Sequence, residues 1–174
     1  MAIATISDLA EKMNCAGVPA DYGPDMSRVL NWTWKEVAKG KPVTRAQVDK
    51  MIAELKVSKD KANAFLDKMA ERDDKGNIIG ILGLTQGKTW AHRFFVNGKE
   101  LRTWCAWDTL FLPQLLGQTA RIESESPISK KKITLTVGPK KVESYDPKET
   151  VVSIVTLDPD KYDKRKLEEL WSGR

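Results

Sequence analysis

Apolar residues recur at helical spacing three times in the first part of the chain. The first stripe is Leu30, Trp34, Val37 and Ala38, and it ends before Gly40 and Pro42, residues that stop helices. A capping-box sequence beginning at Thr44 precedes the second stripe, which is Val48, Met51, Ile52 and Leu55. Ser58, a helix-capping residue, precedes the third, which is Ala62, Phe65, Leu66 and Met69. The spacing predicts three successive helices.

The pattern changes to strand spacing after a polar turn at residues 73–77. Two β-rich stretches follow at residues 78–84 and 90–96, and Asn97-Gly98 is the strongest short hairpin signal in the chain. Three helices followed by a β-hairpin are typical of a winged-helix domain. Glycines and prolines follow a short helical pattern at residues 7–13, so residues 1–25 are predicted to form an arm.

The second half opens with an apolar segment, residues 101–113, that contains one thiol and one carboxylate. It predicts a strand leading into a short helix, which Pro113 limits or kinks because its nitrogen cannot donate the helical hydrogen bond. Strands are predicted at 133–137 and, after a polar connection at 138–150, at 151–157, with a charged helix at 162–171. The predicted class is α+β: a three-helix winged-helix-like part, then a mixed β-sheet part with short helices.

Composition narrows the class of protein. The chain has 174 residues, of which 41% are hydrophobic and 30% charged, as in a soluble globular protein with a core. The 29 Lys and Arg against 24 Asp and Glu give a net charge of +5, too mild to indicate nucleic-acid binding. Since no apolar run could span a membrane and the N-terminus lacks the pattern of a signal peptide, we expect a cytoplasmic location.

The chain is poor in soft metal ligands. Its two cysteines, Cys15 and Cys105, lie 90 positions apart, which excludes a disulfide framework and a Cys-x-x-Cys metal site. His92 is the single histidine, so a multi-histidine metal site is excluded as well. We expect His92 to be an ordinary sheet residue and Cys15 to have no functional role.

Cys105 and Asp108 form the chemically interesting pair. If Cys105 begins a helix, the spacing of three places Asp108 on the same face, and the helix N-terminus favours a thiolate. Alternatively, Cys105 is a buried structural cysteine and Asp108 a helix N-cap. The flanking Trp104 and Trp107 are expected in the core, although they could instead form an apolar wall that raises the pKa of Asp108.

Five segments carry a family resemblance. They are residues 38–45, 74–80, 83–85, 117–121 and, most specific, Trp-Cys-Ala-Trp-Asp-Thr-Leu at 104–110. In this order they closely resemble bacterial organomercurial lyase (alkylmercury lyase) over residues 26–160. The resemblance implies a winged-helix-like domain at 26–98 and a catalytic domain at 99–174.

The resemblance implies cleavage of a carbon–mercury bond, giving a hydrocarbon and Hg(II), as a step of mercury detoxification. Cys105 corresponds to the first catalytic cysteine, which binds the mercury, and Asp108 to the catalytic aspartate beside the metal. Hg(II) is soft, so a thiolate suits it, and the leaving carbon needs a proton that Asp108 can carry. No resident cofactor is implied; the substrate is a small organomercurial.

The family also carries a second catalytic cysteine after the region matching residues 157–171. The sequence reaches Arg174 without it, so we expect an incomplete catalytic domain that depends on low-molecular-weight thiols. A homologue that binds mercury but turns over poorly is one alternative. A winged-helix, DNA-binding, metal-responsive regulator is another, but acidic residues are mixed into the third helix, and we expect neither a nucleic-acid nor a membrane partner.

Overall fold

The computed structural model describes residues 22–152. The helices are α1 (Gly23–Val37), α2 (Arg45–Leu55), α3 (Lys59–Met69) and α4 (Asp108–Leu116). The strands are β1 (Ala70–Arg72), β2 (Ile78–Ile81), β3 (Leu84–Thr85), β4 (His92–Val96), β5 (Lys99–Thr103), β6 (Ala120–Glu125), β7 (Lys132–Val137) and β8 (Val142–Asp146). The predicted α+β class is confirmed.

The three predicted N-terminal helices are confirmed, and local signals set their ends. Thr44 and Gln47 form the capping box of α2, and the Ser58 side chain accepts a hydrogen bond from the third backbone N–H after it. Helix α1 begins at Gly23, inside the predicted arm. Pro24 does not break it, because the first helical turn needs no N–H donor at that position.

The eight strands form one sheet in the order β1-β2-β3-β5-β4-β6-β7-β8. Every pairing within residues 22–152 is antiparallel, so the predicted mixed sheet is wrong for this part of the chain. The reason is the position of β4. Helix α4 connects β5 to β6, which run in the same direction, but β4 lies between them and pairs antiparallel with both.

Two turns with left-handed backbone shape the sheet. Asn97 and Gly98, with φ of 51° and 69°, join β4 to β5, which confirms the predicted hairpin. Leu82 and Gly83, with φ of 33° and 92°, separate β2 from β3. The single strand predicted at 78–84 is therefore two short strands joined by a tight turn.

The end of the described region differs most from expectation. Strand β8 lies inside the stretch predicted as a polar connection; its side chains are all exposed, so it lacks the buried alternation that identifies a strand. Strand β6 was not predicted either. Val151, expected in a buried strand, is 81% exposed and outside any strand. Val152, the next residue of that predicted strand, is also exposed and outside any strand. Residues 153–157, the helices predicted at 7–13 and 162–171, and Cys15 lie outside the described residues.

Helix α1 is the central packing element. It contacts α2, α3, α4, β2 and β3, so helices and sheet share one core. The largest fully buried side chains include Val29, Val37, Met51, Leu66, Ile78, Ile81, Phe94, Leu101, Leu112 and Ile122. Residue 98, the predicted domain boundary, lies in the β4–β5 turn, and the sheet continues across it. No helix in the described part of the chain is long and apolar enough to cross a membrane.

Two neighbouring phenylalanines of β4 test this core. Phe94 is fully buried, whereas Phe95 lies on the other face under the guanidinium groups of Arg93 and Arg121. We expect Phe94→Ala to lower the free energy of unfolding by about 3–5 kcal/mol and Phe95→Ala by about 1 kcal/mol, measured by urea denaturation. Equal losses would contradict the assignment of the two faces.

Candidate active site

The loop between β5 and α4 carries the predicted site and is held by its backbone. The Trp104 N–H donates to the Gly83 carbonyl at 3.1 Å, which ties the loop to the β2–β3 turn. The Thr103 hydroxyl donates to the Cys105 carbonyl, also at 3.1 Å. These two hydrogen bonds fix the backbone of residues 103–105, from which the Cys105 side chain extends.

The structure brings Cys105 and Asp108 together, as their spacing predicts. An Asp108 carboxylate oxygen accepts the Cys105 backbone N–H at 2.8 Å. Cys105 is half-buried and Asp108 only 4% exposed. Helix α4 begins at Asp108 and its N-cap is Trp107, so Cys105 lies before the helix and Asp108 is not the N-cap. The pair is formed by a loop that turns back on the first residue of α4.

Gly83 leaves the space that the Asp108 carboxyl occupies. A Cβ placed on Gly83 would lie 2.6 Å from the carboxyl carbon of Asp108 and 2.6 Å from one of its oxygens. Real Cβ atoms do not approach so closely, and the φ of 92° also favours glycine. Sequence reasoning did not assign Gly83 this role, although the glycine begins one of the segments that carry the family resemblance.

An aromatic and polar cluster supports Trp104. The indole rings of Trp90 and Trp104 stack with centroids 5.6 Å apart and planes 23° from parallel. The Trp90 N–H donates to Glu71 at 3.2 Å, and the buried Thr85 hydroxyl donates to the other Glu71 oxygen. Glu71 and Trp90 were missed from the sequence, because neither spacing nor motif links them to residue 104.

Trp107 is not the core residue that we expected. It is 45% exposed, since the buried face of α4 is formed by Thr109, Leu112 and Leu116. The expectation for Trp104 is met in part, because its side chain is half-buried. His92 is confirmed as a sheet residue: it lies on β4, with its Nδ1 2.7 Å from the Ser124 hydroxyl.

Burial raises the pKa of both groups of the pair. It raises the pKa of Asp108, while hydrogen bonds donated by the Cys105 backbone and thiol act in the opposite direction. Burial, and after it the charge of Asp108, raise the pKa of Cys105 to about 12. A thiolate was expected if Cys105 began a helix; Cys105 lies before the helix instead, and its pKa is raised. Burial and the charge of Asp108 affect the pKa of Cys105 more than the dipole of a helix that begins three residues later.

The side chains of Cys105 and Asp108 limit which reactions this site can support. Within residues 22–152 no group of three or more His, Cys, Asp or Glu side chains could hold a metal ion. One thiol and one protonatable carboxyl lie side by side instead. Together they can bind a soft electrophile through sulfur and exchange a proton with it.

Comparison with known proteins identifies the family. Residues 84–167, which include the pair, match the family model described as MerB, alkylmercury lyase. An alkylmercury lyase of Pseudomonas putida is 37% identical over 152 residues, covering 86% of this chain and 68% of that protein. The chain belongs to the alkylmercury lyase family. The resemblance carried by its motifs is thereby confirmed.

Two further alkylmercury lyases match this chain at similar identity and coverage. That of Staphylococcus epidermidis is 40% identical over 142 residues, covering 77% of this chain and 63% of the relative. That of Streptomyces lividans is 39% identical over 131 residues, covering 73% and 60%. The chain thus spans 60–68% of the length of these three relatives.

A solved structure shows the alkylmercury lyase fold. The mercury-bound form of MerB2 superposes with a TM-score of 0.66 at 22% sequence identity, covering 88% of this chain and 74% of that one. At this identity the likeness concerns the fold. It agrees with the arrangement of helices and antiparallel sheet described above.

The space at Gly83 can be tested against a second glycine with left-handed backbone. A Cβ added to Gly117, whose φ is 66°, would have nothing within 4 Å, so Gly117→Ala carries only the backbone cost, about 1 kcal/mol. Gly83→Ala should lose at least about 2 kcal/mol more, because the new methyl group collides with Asp108. Chemical denaturation measures both. Similar losses would show that the carboxyl does not depend on this space.

The raised pKa of Cys105 predicts slow alkylation. Iodoacetamide labelling, followed at the Cys105 peptide in a Cys15→Ser background, should accelerate about tenfold per pH unit until the pH approaches that pKa. Asp108→Asn removes a negative charge that disfavours the thiolate, so the pKa should fall and labelling at pH 8.5 should be at least about threefold faster. Slower labelling of this variant would contradict the electrostatic account.

Proposed function

We propose that this chain is an organomercurial lyase, which cleaves the carbon–mercury bond of small organomercurials by protonolysis. The observation that carries the proposal is the 2.8 Å bond between the Cys105 N–H and the Asp108 carboxylate, which holds thiol and carboxyl side by side. The names of the curated relatives support it, since each is an alkylmercury lyase. The products are a hydrocarbon and Hg(II), as in mercury detoxification.

Capture of the substrate is the first step. The Cys105 sulfur bonds to the mercury of an alkylmercury cation, and the thiol proton passes to the Asp108 carboxylate. With a pKa of about 12, the thiol keeps its proton until a metal displaces it. A soft metal suits this exchange, because sulfur binds it strongly enough to replace the proton.

Cleavage returns a proton to carbon. Protonated Asp108 donates to the carbon attached to mercury, the electron pair of the carbon–mercury bond forms the new carbon–hydrogen bond, and Hg(II) stays on Cys105. Burial raises the pKa of Asp108, which makes its protonated form accessible nearer neutral pH. The same carboxyl thus serves as base and then as acid.

A second soft donor completes the proposed cycle. Cys105 is the one cysteine of residues 22–152. We assign the second donor to a low-molecular-weight thiol, which strengthens the electron supply to mercury and then removes the Hg(II). No resident cofactor is needed for the proton transfers. A reduced nucleophile and a thiol co-reactant both fit the cytoplasm.

Capture and cleavage should separate on substitution of the pair. Asp108→Asn should still form a stoichiometric alkylmercury adduct at Cys105 but release hydrocarbon about 10²–10⁴-fold more slowly, because its amide cannot carry the proton. Mass spectrometry of the Cys105 peptide measures the adduct and gas chromatography measures the hydrocarbon. Cys15→Ser, the matched control, should behave as the parent, and Cys105→Ser should lose both steps.

Three results would contradict the proposal. An adduct found on Cys15 alone would remove Cys105 from its role. Hydrocarbon release at the parental rate by Asp108→Asn would remove Asp108 from its role. Adduct formation without hydrocarbon in the parent, with and without excess thiol, would identify a mercury-binding homologue rather than a lyase.

A further inference from the structure

Helix α1 reaches the site through one buried side chain. Trp34 is 8% exposed, and its indole N–H lies 3.0 Å from the Ile81 carbonyl and 3.1 Å from the Leu82 carbonyl. These acceptors are 47 and 48 positions away in the sequence and come directly before Gly83. The N–H therefore fixes the backbone that enters the β2–β3 turn.

That turn supports both members of the pair. Its last residue, Gly83, accepts the Trp104 N–H that anchors the Cys105 loop. Gly83 also faces the Asp108 carboxyl so closely that no Cβ fits between them. Leu82 has a φ of 33°, which L residues rarely adopt, so the turn needs outside support to keep this shape. A shift of the turn would therefore move both the loop that carries Cys105 and the Gly83 backbone that packs against Asp108.

The same indole contacts the helix that begins with Asp108. The rings of Trp34 and Phe111 pack edge to face, with centroids 6.3 Å apart and planes at 62°. Phe111 lies on α4, less than one turn after Asp108. One side chain thus contacts both structures that fix the position of the carboxyl, the Gly83 turn and α4.

We propose that Trp34 is a positioning residue of the active site, whose indole N–H holds the Gly83 turn where Asp108 can meet the Cys105 amide. It touches no reacting atom and acts through the turn. Its effect on catalysis rests on the proposed lyase function. Its effect on geometry does not, and the two can be measured separately.

The N–H separates a positioning role from simple core packing. Trp34→Phe keeps an aromatic ring against Phe111 but lacks the donor. A second variant carries the isosteric benzothiophene amino acid at position 34, which preserves the size of the indole and lacks only the N–H. Trp32→Phe, at a half-buried tryptophan of the same helix, is the matched control.

Hydrogen exchange followed by NMR gives the geometric test. In both variants the amides of Trp104 and Cys105, which donate to Gly83 and Asp108, should exchange at least about tenfold faster. The Phe94 and Leu101 amides of the same sheet should change by less than about twofold, and Trp32→Phe should change none of the four. Unchanged exchange at Trp104 and Cys105 would overturn the proposal. If Trp34→Phe does not fold, the isosteric variant decides.

Single-turnover kinetics give the second test. Capture of an alkylmercury compound at Cys105 should stay within about twofold of the parent, because water can also accept the proton of this half-buried thiol. Hydrocarbon release should fall about 10–100-fold, because protonation of the carbon requires Asp108 in place. Equal slowing of both steps would indicate a general structural defect and overturn the proposal. If the parent releases no hydrocarbon, the lyase function fails, and the exchange measurement still decides the role of Trp34.

Discussion

A carboxyl group buried beside a thiol is the constraint on which this site depends. Asp108 is almost fully enclosed, and its carboxylate accepts a backbone N–H from Cys105; no Lys or Arg of residues 22–152 forms an ion pair with it. A buried charge is costly unless hydrogen bonds compensate for the lost contacts with water, so burial favours the protonated form of the Asp108 carboxyl and raises its pKa. The surrounding features serve this arrangement: Gly83 provides space, and the loop turns back to supply the N–H.

The same burial gives the thiol its selectivity. An exposed or positively surrounded cysteine ionises easily and reacts with many electrophiles. Burial, and after it the charge of the adjacent carboxyl, raise the pKa of Cys105 and make it a poor general nucleophile. A soft metal is different, since it replaces the proton and the adjacent Asp108 is placed to receive it. In the proposed mechanism the pair therefore favours metal exchange over ordinary alkylation.

Local signals were predictable from the sequence, and long-range ones were not. The caps at Thr44 and Ser58 and the hairpin at Asn97-Gly98 depend on neighbours a few positions away. The closeness of Cys105 and Asp108 was predictable because three positions separate them, although the helix begins later than expected. Gly83 lies 25 positions before Asp108, and no periodicity connects them. The antiparallel sheet was not predicted either, because it depends on β4 lying between β5 and β6, a long-range arrangement that no local pattern indicates.

Helix α1 links the helical part of the chain to the Cys105–Asp108 site through the contacts of Trp34. A helical domain that only covered the sheet would need apolar contacts, and α1 makes these through Val29 and Val37. Trp34 adds a directed hydrogen bond, its single N–H shared between two backbone carbonyls beside Gly83, and such a bond fixes a position where apolar contact tolerates sliding. A proton transfer requires reacting atoms placed to within a fraction of an ångström. Directed bonds from a helix meet that requirement, so under the proposed mechanism the helices and the sheet act as one unit, although Cys105 and Asp108 both belong to the sheet half.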